Sequence, residues 1–91
     1  MAAILVTYDL NRPGQNYETL IKTLKNLGSE WWHYMESTWV LGGYGLTTSK
    51  ITEALLPHID SNDRLLVVDI TSDSWSGWLP REASDWLNKW A

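Results

Sequence analysis

The segment Ala3-Ile4-Leu5-Val6-Thr7-Tyr8-Asp9 restricts the fold of this chain more than any other stretch. An apolar run closes in a polar tripeptide, and Asn11-Arg12-Pro13-Gly14 breaks the chain directly afterwards, which reads as a strand followed by a loop. Alternation puts Ile4, Val6 and Tyr8 on one face and Leu5, Thr7 and Asp9 on the other. An acid at the end of a first strand lies at a sheet edge, where water and a metal ion can reach it while the strand fixes its direction.

The remaining punctuation gives the order of elements. Asn16 is placed to cap a helix through about Leu27, with Tyr17, Leu20, Ile21, Leu24 and Leu27 at helical spacing, Glu18 four residues before Lys22, and Gly28 as the C-terminal cap. Residues 30–36 alternate Trp31, His33 and Met35 against Trp32 and Tyr34, and residues 37–41 continue as a further strand after a tight reversal, so the pair reads as a hairpin. Gly42-Gly43-Tyr44-Gly45 reads as a connector into Thr47-Thr48-Ser49, whose hydroxyls cap a second helix carrying Ile51, Ala54, Leu55 and Ile59, shortened or kinked by Pro57. Asp60-Ser61-Asn62-Asp63 is a turn into a fourth strand over residues 64–71. After a loop over 72–77, Pro80 suits the first position of a last helix with Leu79, Ala83, Trp86, Leu87 and Trp90 on one stripe and Glu82 in its first turn.

The expected architecture is therefore α+β: a single ferredoxin-like βαββαβ domain with its core over about 3–71, and an additional Trp-rich C-terminal helix over about 79–90. Strands one and three are central in that topology. Asp9 should then neighbour Ser37 and either Arg64 or Asp63, while Asp69 lies toward the opposite end of the sheet. Two carboxylates would meet only if Asp9 faced its symmetry mate across a two-fold axis.

Composition narrows the function classes. A chain of 91 residues buries about 60–65% of the surface its unfolded form exposes, so a partner surface would help it. Seven Trp and four Tyr with no Phe place some indoles at an interface, because Trp is rarely buried completely. The absence of Cys removes disulfides, thiolate catalysis and Cys-based zinc sites, and fits a reducing cytoplasm. No apolar run approaches the roughly 20 residues of a membrane span, and no signal peptide is visible, so the chain reads as cytoplasmic with no membrane partner. Net charge is −4, and the basic residues Arg12, Lys22, Lys25, Lys50, Arg64, Arg81 and Lys89 are scattered. That counts against tight sequence-independent nucleic-acid binding without a metal ion or a dimer seam to supply positive potential.

Several residues together resemble a known family, the small dimeric ferredoxin-like nuclease of the CRISPR adaptation machinery, and particularly its short SinR-like relatives. The resemblance spans roughly residues 3–71. It rests on the Tyr8-Asp9 strand end, the Leu24-Lys25-Asn26-Leu27-Gly28 helix end, Ser37-Thr38-Trp39 at a strand start and Asp60-Ser61-Asn62-Asp63-Arg64 before the fourth strand. It implies a homodimer in which two strand-one aspartates hold a divalent cation, Mg or Mn, with cleavage of RNA or DNA in some members and a purely structural role in others. Residue by residue, it makes Asp9 the metal-binding acid, Tyr8 its neighbour, Ser37 the strand-three serine and Trp39 the aromatic of that motif; Asp9 and Ser37 are the candidate catalytic residues, and Tyr8 and Trp39, with the basic Arg12, the candidate nucleic-acid or interface residues. The chain departs from the family pattern at Gln15-Asn16-Tyr17-Glu18, where basic residues are usual, at Met35 and Val40, and in its C-terminal helix, which stands in place of a strand.

Each candidate also has a plainer role. Asp9 either ligates a metal that activates water or caps its turn or pairs with Arg64. The Trp31, Trp32, Tyr34 and Trp39 group either stacks bases or forms two ordinary sheet faces. His33 and His58 have no partner fixed by spacing, the Gly42-Gly43-Tyr44-Gly45 loop lacks the Lys-Ser/Thr ending of a phosphate-binding loop, and the last helix either fills a partner groove or packs on its own sheet. Two functions follow: a metal-dependent nucleic-acid-binding or cleaving homodimer, or a non-catalytic dimerisation and protein-interaction module.

Overall fold

A computed structural model describes residues 1–11 and 17–91. Arg12 and the Asn16 cap lie outside the described residues. The elements run β1 (Ala2–Asp9), α1 (Glu18–Leu27), β2 (Glu30–Met35), β3 (Thr38–Gly43), α2 (Thr48–Leu55), a 3-10 turn (Leu56–His58), β4 (Arg64–Asp69) and α3 (Arg81–Trp90). The strands form one antiparallel sheet in the order β2-β3-β1-β4, so β1 and β3 are central. The fold class is α+β.

Alternation along β1 divides the core in two. Ile4 and Val6 pack with Trp39 and Leu41 of β3 beneath Leu20 and Leu24 of α1 and Ile51 and Leu55 of α2. On the other face, Ala3, Val40 and Trp32 pack against Ala83, Leu87 and Trp90 of α3. The 3.6-residue stripe on α3 therefore covers its own sheet. Thr47 caps α2 by accepting the Lys50 amide at 3.2 Å. The α-helix stops at Leu55, where the Pro57 turn begins.

Gly28 is the C-terminal cap of α1, in extended backbone with φ −111° and ψ 175°; a Cβ there would lie 2.7 Å from the Gly42 carbonyl oxygen, and close strand approach explains the glycine. Two local readings are corrected. Gly42 and Gly43 belong to β3, and Gly42 lies directly under the Trp90 indole. Finally, the ladder between β2 and β3 shifts between Trp32 and Met35, which sets Met35 opposite Thr38 on the α3 face. The irregularity breaks the simple alternation that would put Met35 beside Trp31 and His33.

The register defines rows across the α3 face. Trp32, Val40, Leu5 and Val68 form one row, and Met35, Thr38, Thr7 and Leu66 the next. Helix α3 covers the Ala3–Gly42 end. The second row stays open, with Leu66 59% and Met35 52% exposed.

Candidate functional site

The open end of the sheet carries Asp9. Its register partner is Arg64 at the start of β4, and a shallow depression of about 190 Å³ is lined by Thr7, Tyr8, Asp9, Arg64, Leu65 and Leu66. Asp9 is exposed. Its carboxylate makes no ion pair or hydrogen bond among the described residues, whereas the Arg64 guanidinium donates to the carbonyl oxygens of Asp63 at 3.2 Å and Asn62 at 3.5 Å. Among the described residues, neither of the plainer roles for Asp9, a turn cap or an Arg64 pair, is formed.

Ser37 lies in the β2–β3 turn, and its carbonyl oxygen accepts the Tyr8 amide at 3.1 Å. The backbone thus places Ser37 across from the residue before Asp9. Tyr8 points to the other face, where its hydroxyl accepts the Trp39 indole N–H at 3.0 Å. Trp39 is completely buried and stacks on His33 with ring centroids 3.7 Å apart, so the indole offers no surface to a nucleic-acid base. Trp39 is a core residue of this chain. Trp32 is also buried, its indole N–H given to the Ala83 carbonyl at 3.1 Å. The aromatic group forms two sheet faces.

Next to Asp9, the hydroxyls of Thr7 and Thr38 bond each other at 3.2 Å. One hydroxyl donates to the other, and the accepting threonine keeps its own O–H for a further acceptor, on the open row between Met35 and Leu66. A larger groove of about 430 Å³ continues from this row under the segment before α3, with Leu5, Trp32, Val40, Trp75 and Leu79 among its walls. Trp78 stands at its lip, fully exposed.

Sequence reading treated Asp63 only as a turn residue or a neighbour of Asp9. It is 6% exposed and its carboxylate accepts the amides of Asn11 and Asp60, each at 2.8 Å, and the Tyr17 hydroxyl at 3.1 Å. The available signal was an acid closing a polar turn, a pattern too common to single it out. Asp69 lies opposite Ile4, five positions along β1 from the Asp9–Arg64 pair and so about 17 Å away at strand spacing. It belongs to no shared site with Asp9.

A divalent cation of the Mg or Mn type takes six oxygen ligands in an octahedron, several of them waters. Asp9 is chemically suitable, but among the described residues no three His, Asp or Glu side chains cluster to hold an ion. Arg64 lies beside Asp9, whereas three lysines are engaged elsewhere: Lys25 lies over the Trp31 ring at 5.0 Å, Lys50 donates to the Gly45 carbonyl, and Lys89 pairs with Glu30. Among the described residues no helix is long and apolar enough to cross a membrane. No protein-family description, curated protein or solved structure matches this chain.

Proposed function

We propose that this chain is a ferredoxin-like domain that works as a homodimer, bringing two Asp9 carboxylates together at a two-fold seam to bind nucleic acid with a divalent cation. The observation that carries the reading is the Asp9 carboxylate itself, exposed at the end of a central strand and making no bond among the described residues. Two further features support it. The strand order β4-β1-β3-β2 suits the ferredoxin-like reading, and the open row with its exposed Met35 and Leu66 is a surface that a second copy would bury.

Asp9 would hold the cation from both protomers, and such an ion supplies polarisation of a phosphodiester and of an attacking water. Arg64, register partner of Asp9, is the nearest cation along the sheet and favours a phosphate beside it. Ser37 offers a hydroxyl next to the same strand end. Cleavage of labelled single- and double-stranded RNA and DNA with Mg or Mn tests the reading. Activity should disappear in Asp9→Asn and in EDTA while folding and dimerisation persist.

The second reading, a protein-interaction module of the same fold, is favoured by one observation. Lys22 and Lys25 sit on α1, which packs on the Ile4–Val6 face, opposite to Asp9. A folded wild type inert on every substrate would establish that module instead.

A further inference from the structure

Asp63 is the most heavily used carboxylate among the described residues, and nothing in the chemistry assigned to Asp9 explains why it is buried. Burying an ionised carboxylate is unfavourable unless donors surround it. Here the donors come from three separate parts of the chain. The Asn11 amide reaches Oδ1 from just beyond β1, the Asp60 amide reaches Oδ2 from the turn before β4, and the Tyr17 hydroxyl lies 3.2 and 3.1 Å from the two oxygens at the start of α1. A second strut runs parallel, since the Asn11 side-chain amide donates to the Asn62 carbonyl at 2.9 Å. Asn11 and Tyr17 flank the connection between β1 and α1, so one carboxylate fastens both of its ends to the start of β4. Asp9 stands two residues before Asn11 and Arg64 one residue after Asp63, and the two face each other across the ladder.

From this juxtaposition we infer that Asp63 is a positioning residue for the Asp9 end of the sheet: it sets the direction in which the chain leaves β1 and holds Asp9 and Arg64 in register. Its functional consequence rests on the proposed role of Asp9, but the clamp itself can be tested separately. Asn11 is exposed, and its amide is held by this carboxylate, so hydrogen exchange at that amide reports on the clamp alone.

The experiment measures residue-resolved amide exchange in the full chain for wild type, Asp63→Asn and Tyr17→Phe, with and without Mn2+. Asparagine keeps one acceptor oxygen but turns an NH2 group toward a donor. Exchange at Asn11 and Asp60 should accelerate tenfold or more in Asp63→Asn, while Ile4, Val6 and Leu41 keep wild-type rates. Tyr17→Phe removes a single donor, and should accelerate Asn11 by a smaller factor with the carboxylate still in place. Unchanged exchange at Asn11 in Asp63→Asn overturns the inference. If Asp63→Asn does not fold, Tyr17→Phe decides: acceleration confined to Asn11 and Asp60 supports the clamp, and uniform or absent acceleration overturns it. Paramagnetic broadening by Mn2+ is the separate readout. Broadening at Asp9 in wild type that weakens at least severalfold in Asp63→Asn ties the clamp to the cation site; no broadening in wild type removes the cation reading and leaves the exchange result to judge Asp63.

Discussion

Asp69 and Asp63 stand at the two ends of β4 and are used in opposite ways. Asp63 is enclosed by donors from distant segments, whereas Asp69 is on the surface and works locally. It accepts the Thr71 hydroxyl at 2.6 Å and the Thr71 amide at 2.9 Å, and the same hydroxyl oxygen accepts the Ala3 amide at 2.9 Å. The Thr71 hydroxyl, then its amide, hold the Asp69 carboxyl below the usual carboxylate range. A lowered folded value means that the ionised form favours folding. The contribution is complete above the unfolded value of about 4 and is lost as the pH falls through the folded value. Asp69→Asn should therefore be less stable than wild type near neutral pH, with the difference closing in strong acid, as read from urea unfolding over a pH series. A difference of the same size at every pH would show that the bonds matter by shape and not by charge. None of this was legible beforehand, because Asp69 was read as one polar residue inside a strand extended through Thr71. The strand instead ends at Asp69, with one more backbone bond from the Ile70 amide to the Ala3 carbonyl at 2.9 Å, and the turn that follows puts Ser72 at φ 61°.

Helix α3 shows what periodicity can and cannot disclose. Its apolar stripe was readable from spacing, since Ala83, Leu87 and Trp90 recur at three- and four-residue steps and all three are buried. Its docking site was not readable. Consecutive glycines have the composition of a connector, and only the folded sheet reveals that Gly42 is a floor for the Trp90 ring. A Cβ at that position would lie 2.7 Å from two ring carbons of Trp90, closer than packed carbons approach. Gly42→Ala should destabilise the protein by about 1–3 kcal/mol, the usual cost of overpacking, measured by chemical unfolding followed through tryptophan fluorescence. The face shift of Met35 was hidden for a similar reason: a ladder irregularity depends on the partner strand as well as on the residues that carry it.

At the scale of the molecule, topology proved more legible than chemistry. The order of turns and apolar runs was enough to place β1 and β3 at the centre and Asp9 beside either Arg64 or Asp63, because antiparallel neighbours can be counted off, and the register selects Arg64. The Asp63 clamp and the threonine pair required contacts between residues far apart in sequence, for which no local pattern exists. The open row supplies the prediction belonging to this scale. Leu66→Glu, on a side chain already 59% exposed, should leave monomer stability within about 0.5 kcal/mol while abolishing self-association, as followed by sedimentation over a concentration series. A wild type that stays monomeric at every concentration would reject the homodimer. The central place of β1 has a consequence for biosynthesis. Thr7 pairs with Thr38 on one side and Leu66 on the other, so the first of these four strands to be synthesised is completed only by the last of them. Until β4 emerges, the nascent chain carries an apolar strand with an unpaired edge. Such edges template association with other chains, and the interval before β4 arrives is when a chaperone would have most to protect.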